Sequence, residues 1–238
     1  MLSLTTKSNH MKTTIKIFTA LVIMLIMIAG NSFAGGKDFT GTIVYNITYP
    51  DSKMDAQTLA MMPKTLKIKI KGDMSRTEMN MGMGTTVVIF NSESRSGVTL
   101  MDFMGQKFAM KMTPEDIDEE LKETPETTVV TTSETKEIAG YTCKKAIVKM
   151  KEKGSETETE LVVYYSEDLA TGKSNEMNPL YKDIPGTMLE YSMNENGMNM
   201  FLTAISVEKE KISDSEFETP EGFKEVTKEE LKGMFGGE

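Results

Sequence analysis

From Phe39 onward the chain alternates apolar and polar side chains at every second residue, the period of strands with one buried face. Phe39, Ile43, Tyr45 and Ile47 are interleaved with Thr40, Thr42, Asn46 and Thr48, and Leu66, Ile68 and Ile70 with Lys67, Lys69 and Lys71. Phe108, Met110 and Met112 repeat the pattern against Lys107 and Lys111, and Leu189, Tyr191 and Met193 continue it. Asn194-Glu195-Asn196-Gly197 carries an Asn-Gly turn signal, which predicts an antiparallel hairpin, and Gly105-Gln106 marks a second one between 97–103 and 107–112. These segments amount to roughly ten or eleven strands, too many for a small sandwich and suited to a large curved sheet.

Three short stretches break the period. Thr113-Pro114-Glu115-Asp116 reads as an N-cap, a first-turn proline and first-turn acids, with Ile117 and Leu121 following on one face. Residues 53–62 offer Met54, Leu59, Met61 and Met62 for a second helix. Thr227 with Glu230 forms a capping box ahead of Leu231, Met234 and Phe235. Helices this short need a sheet to lie on. The expected fold is therefore mainly β: a strongly curved antiparallel sheet, a half-barrel, with two or three short helices on its concave side.

The segment before this domain changes where the chain is expected to work. Lys12 and Lys16 precede an apolar run of 13 residues, Ile17 to Ala29, and Gly30-Asn31 break it before Ser32-Phe33-Ala34. The small-x-small end reads as a cleaved signal peptide, with translation starting at Met11 and cleavage between Ala34 and Gly35. The run is shorter than a membrane-spanning helix requires, and no Cys follows it to take a lipid. Residues 1–34 are thus expected to leave, and 35–238 to form a single β-rich domain in the periplasm or outside the cell.

Loss of Lys7, Lys12 and Lys16 takes the net charge from −9 to −12. Only Arg76 and Arg95 supply guanidinium groups, so the basic footprint that nucleic acid needs is missing. His10, the one histidine, leaves too, and with it Ser-His-Asp and Cys-His mechanisms and imidazole metal sites. Cys143 has no partner for an internal disulfide and is expected to be buried. Acids cluster at Asp116, Asp118, Glu119 and Glu120 and at Glu156, Glu158 and Glu160, in the patterns of solvated faces rather than of a glycosidase pair. Asn46-Ile47-Thr48 matches a glycosylation sequon but lies within a strand. No calcium loop, phosphate loop or nucleophile elbow occurs, and neither an enzyme activity nor a cofactor is expected.

Methionine is the unusual component, with 22 in the chain and no tryptophan. Met79, Met81 and Met83 recur at two-residue spacing, as do Met198 and Met200. Thioethers suit Cu(I), which makes Met79, Met81 and Met83 a rival copper site. Packing or cavity lining is the commoner use of this adaptable side chain. The residues expected to line an apolar cavity are Ile43, Tyr45, Leu66, Ile68, Phe108, Met110, Leu189 and Tyr191. An acyl chain or lipoprotein tail is the ligand they suit. A structural or interaction protein of the cell envelope, with a filled core, is the alternative, and the oligomeric state stays open.

Four motifs carry a resemblance. Ile138 to Ala146 resembles the I-x-G-Y-x-C-x-K-A segment of exported bacterial β proteins. Val163-Tyr164-Tyr165-Ser166, followed by Asp183-Ile184-Pro185-Gly186-Thr187-Met188-Leu189-Glu190, resembles the segment that names the GLPGLI family, with Tyr164 where that family often has Trp and Thr187-Met188 for its Leu-Ile. Lys71-Gly72-Asp73-Met74-Ser75-Arg76 and Phe217 to Lys224 are similar to the K-G-D-x-x-R and F-x-x-P-x-G-F-K features of the related domain-of-unknown-function family DUF4412. These families more distantly resemble the periplasmic lipoprotein carrier fold. The resemblance implies a curved sheet covered by short helices on its apolar concave side, and it implies no assigned activity.

Overall fold

A computed structural model describes residues 39–50, 52, 54–122, 125–151, 158–169, 180–195 and 198–234. The expected signal peptide, its cleavage site and Phe235 lie outside the described residues. The strands are β1 (Gly41–Thr48), β2 (Thr65–Lys71), β3 (Met74–Met81), β4 (Gly84–Asn91), β5 (Ser96–Phe103) and β6 (Gln106–Met112). After them come β7 (Glu126–Ile138), β8 (Tyr141–Lys151), β9 (Glu158–Ser166), β10 (Thr187–Glu195), β11 (Met198–Lys209) and β12 (Lys224–Glu225). Helices α1 (Ala56–Met61), α2 (Pro114–Leu121) and α3 (Lys228–Met234) complete the elements, with a 3-10 turn at Asp214–Phe217.

All twelve strands join one open, curved sheet in the order β12-β6-β5-β4-β3-β2-β1-β11-β10-β9-β8-β7. The β-rich curved sheet expected from the alternation is present. Every pairing but one is antiparallel: β12 runs parallel to β6, with Lys224 beside Phe108 and Glu225 beside Ala109. The sheet is therefore mixed at that edge. β10 and β11 form the expected hairpin, pairing Glu195 with Met198. The other turn falls one residue earlier than Gly105-Gln106. Met104 and Gly105 carry φ of 51° and 80°, the left-handed pair that a two-residue hairpin requires, and Gln106 already belongs to β6.

Register places the apolar residues on one face. Ile43, Ile68, Thr77, Val88, Thr99 and Met110 form one row across β1 to β6, and Tyr45, Leu66, Met79, Thr86, Met101 and Phe108 form the next. Beyond β1, Ile47 continues to Leu202, Tyr191, Val163 and Ala146. Two helices lie against this concave face, with Ile117 of α2 in the main core and Leu231 of α3 beside Met101, Phe108 and Met110; α1 buries none of its own residues, and Met62 just after it joins the core.

Local chemistry sets the helix starts. Asp55 accepts from the backbone N–H of Gln57 and Thr58, each at 2.9 Å, so α1 is shorter than 53–62. At α2 the Thr113 N–H donates to Asp116 at 2.8 Å and the Asp116 N–H to Thr113 Oγ1 at 3.2 Å, a reciprocal cap. The Thr113 backbone N–H, then its hydroxyl, hold the Asp116 carboxyl below the ordinary carboxylate range. Its folded pKa is depressed, so its stabilisation is present at neutral pH and is lost as acidification carries the pH below the unfolded value and through the folded one. Thr113→Ala is expected to cost about 0.5–2 kcal/mol at pH 7. Urea melts should show that cost shrinking toward pH 2.

The convex face is covered along half its width by the chain that follows β11. Glu210 accepts from Thr42 Oγ1 at 2.5 Å, which buries a threonine that the alternation assigns to solvent. Lys71 then meets Asp214 at 2.6 Å, Lys69 meets Glu216 at 2.8 Å, and an Arg76 N–H donates to the Glu216 carbonyl at 3.0 Å. Phe217 and Phe223 close over Val87, Ile89, Leu100 and Ala109. The strap continues as β12 and α3, so it crosses the convex face, pairs at the β6 edge and ends on the concave side.

Candidate binding face

All eight residues expected to line a cavity lie on the concave face and are buried. Ile43, Tyr45, Leu66, Ile68, Leu189 and Tyr191 belong to the main core, while Phe108 and Met110 belong to a second cluster with Met101, Val226 and Leu231. The register brings Tyr45, Leu66 and Phe108 into one row and Ile43, Ile68 and Met110 into its neighbour. Leu189 keeps the alternation with Tyr191, and a bulge brings in a neighbour: β10 shifts register between Met188 and Glu190, so Met188, opposite Tyr165, is buried as well.

The centre of the face is aromatic. Tyr191 meets the rings of Tyr45 and Tyr181 edge-on, with centroids 6.0 and 5.9 Å apart. The Tyr45 hydroxyl donates to the Met188 carbonyl at 2.9 Å, and the Tyr181 hydroxyl to the Ser192 carbonyl. Burial raises the pKa of all three phenols. Tyr45 and Tyr181 thus act as neutral donors. Sequence reading missed Tyr181, which lies in an irregular segment beside Ile184, where no period marks it. Gly186 follows, and a Cβ there would sit 2.6 Å from the Ser166 carbonyl oxygen. Only glycine lets β10 enter this close to β9.

Ile43, Leu66 and Leu189 are 0% exposed, and Phe108 and Met110 are 7%. A side chain facing a space wide enough for an acyl chain would present surface to a water-sized sphere, so the face is closed at these residues. Over Met101, Phe108 and Met110 the cover from outside the sheet consists, among the described residues, of Val226 and Leu231. The concave side also holds Met62, Met79, Met112, Met188, Met193 and Met200, all buried.

The copper candidates separate. Met79 is buried on the concave face and Met81 packs against both clusters, but β3 ends at Met81 and Gly82-Met83 form the turn into β4. Met83 therefore does not share their strand face, because alternation requires extended backbone on both sides. Among the described residues no three His, Cys, Asp or Glu side chains gather as a metal site.

Four of the described acids serve structure. Asp116 caps α2, Asp118 pairs with Arg95 at 2.6 Å, and Glu158 and Glu160 each pair with Lys149 at 3.2 Å. Glu156 lies outside the described residues. Arg76 pairs with Glu78 at 2.5 Å on the convex face. Cys143 is buried, and burial, reinforced by Glu137 and Glu190, pushes its thiol up to about 11. Glu190 is 6% exposed and is held by Lys136 at 2.8 Å and Thr203 at 3.2 Å.

The four segments singled out in the sequence include three with evident physical roles. The basic residues of Lys71 to Arg76 grip Asp214 and Glu216, while the turn of Phe217 to Lys224 supplies the phenyl rings of the strap. Ala139 and Gly140 form the left-handed turn, φ 49° and 83°, between β7 and β8. No helix among the described residues is long and apolar enough to cross a membrane. No family model matches the chain, and no curated protein matches it either.

Proposed function

We propose that this chain is exported and acts, without catalysis or cofactor, as a binding or carrier module of the cell envelope for an apolar ligand such as an acyl chain or lipoprotein tail. Ligand enters by lifting α3 rather than by filling a standing cavity. The supporting observation is the continuous, methionine-rich concave face whose Met101, Phe108 and Met110 are covered by a seven-residue helix. A helix of that length has little stability of its own, and thioethers adapt their shape to varied apolar partners.

A specific observation favours a second reading. Side chains at 0% exposure across β1, β2 and β10 fill the deeper part of the face, as expected for an envelope interaction protein with no ligand. Titration with a fluorescent fatty acid separates the two. The carrier reading expects saturable binding in the micromolar range, about −8 kcal/mol, weakened by Met110→Trp with the fold retained by circular dichroism. Absence of saturable binding overturns it and leaves the interaction protein. Native mass spectrometry of protein taken from its own periplasm extends the test, since a bound lipid, a copper ion or neither marks the carrier, the thioether site or the filled core.

A further inference from the structure

Two threonine hydroxyls on the concave face are buried without a partner. Thr77 of β3 is 0% exposed and Thr86 of β4 is 1% exposed, and neither Oγ1 has a hydrogen-bond partner among the described residues. Water does not reach side chains buried to that degree. Other buried threonines are provided for: Thr42 donates to Glu210, Thr187 to the Leu169 carbonyl at 3.0 Å, and Thr99 to the Met112 thioether at 3.6 Å. A buried hydroxyl left unpaired is destabilising, and a fold that keeps two of them side by side calls for a reason. Ser166, a third such group, lies at the end of β9 in the other half of the sheet.

Register brings Thr77 and Thr86 together. Thr77 stands opposite Val88, and Thr86 precedes Val88 by two residues, so the two threonines are diagonal neighbours with Cα atoms about 7–8 Å apart. Thr77 shares its row with Val88, Thr99 and Met110, and Thr86 shares its own with Met101 and Phe108. Both rows therefore lead from a hydroxyl to the apolar residues beneath α3, and the three strand-to-strand steps from β3 to β6 span about 14 Å. That is a lane for a chain with one polar end. The lysines and arginines of β2 to β6, namely Lys67, Lys69, Lys71, Arg76, Lys107 and Lys111, have the opposite parity and face the convex side. None of these strands offers a cation to the concave side.

We propose that Thr77 and Thr86 are the polar subsite of this face and take an acyl ester, their hydroxyls donating to the ester oxygens while the acyl chain lies over Met101, Phe108 and Met110 in place of α3. The proposal rests on the carrier reading above and names the head group of its ligand. An ester brings acceptors only, which two unpaired donors match. A carboxylate would lose its hydration there with no cation to compensate, and an amide would add an N–H whose burial needs a further acceptor. In the closed fold both hydroxyls go unpaired, so binding recovers hydrogen bonds that closure forgoes.

Equilibrium dialysis of radiolabelled methyl dodecanoate and dodecanoate against the full mature chain at pH 8 tests the proposal. The ester is expected to bind about tenfold tighter than the acid, and Thr77→Val/Thr86→Val to weaken the ester about tenfold while changing the acid little. Thr77→Ser/Thr86→Ser keeps both hydroxyls and should retain ester binding. The valine variant should unfold in urea no earlier than wild type, since it removes unpaired polar atoms and strands no partner. Four results each overturn the ester subsite and leave the carrier reading standing: ester affinity unchanged by valine, acid bound as tightly as ester, ester binding lost in the serine variant as well, or a lowered urea midpoint in the valine variant. Binding of neither probe by the wild type overturns both.

Discussion

Replacing Tyr191 by alanine is expected to destabilise the fold by about 3–5 kcal/mol, the range for emptying a fully buried aromatic site. Tyr191 stands where β10 meets β11 and β9, opposite Leu202 and Val163, and its ring lies edge-on between Tyr45 and Tyr181. Neither neighbour can move in to fill the space, since each phenol is tied to a backbone carbonyl, Tyr45 to Met188 and Tyr181 to Ser192. A cavity would remain. Tyr45→Phe keeps the packing and removes one hydroxyl, leaving the Met188 carbonyl short of a donor at about 1–3 kcal/mol. Urea midpoints should rank wild type above Tyr45→Phe and Tyr45→Phe above Tyr191→Ala. Equal losses in the two variants would mean that the centre is held by its hydrogen bonds and not by ring packing.

The alternation at β1, β2, β6 and β10 was legible because the outward positions there are polar or small, such as Thr42, Lys69, Ala109 and Glu190, even where the strap or an ion pair covers them. β4 is different. Val87, Val88, Ile89 and Phe90 run together without a period since both faces are covered: Val88 and Phe90 point to the main core, Val87 and Ile89 to the strap. The strap left a motif, Phe217 to Lys224, but no period that places it on the sheet. Its two phenylalanines are six residues apart in irregular chain, and their partners lie more than a hundred residues earlier. Thr42 illustrates the same limit, a polar residue buried by a glutamate 168 positions away.

The candidate face was readable and its state was not. A period of two assigns Ile43, Tyr45, Leu66, Ile68, Phe108, Met110 and Tyr191 to one side of the sheet with no knowledge of the fold. Leu189 shares that side by its parity with Tyr191, and the bulge that follows Met188 adds Met188 to it. Whether the space between them is open depends on how α2, α3 and the segment around Tyr181 seat upon it. Those seats are made by single residues such as Ile117, Leu231 and Ile184, whose neighbours are set by tertiary packing rather than by local pattern.

The strap is where a second large effect is expected. Phe217 and Phe223 cover Val87, Ile89, Leu100 and Ala109 from outside the sheet, and Lys107 lies 5.6 Å from the Phe223 ring centre. Both rings are partly exposed, so Phe217→Ala/Phe223→Ala is expected to cost about 2–4 kcal/mol in sum, below the value for two fully buried rings. The consequence reaches further than the convex face. The same chain continues into β12 and α3, and α3 covers Met101, Phe108 and Met110 on the other side. Loosening the strap removes the anchor that holds a marginal helix in place, and apolar surface becomes accessible on both faces. The double variant should therefore bind an apolar fluorescent dye well below its unfolding midpoint. Arg76→Ala, which breaks the polar hold on Glu78 and Glu216 but leaves the rings, should show a smaller loss and little dye binding. Dye binding by Arg76→Ala equal to that of the double phenylalanine variant would show that ionic contacts, not ring burial, keep the strap closed.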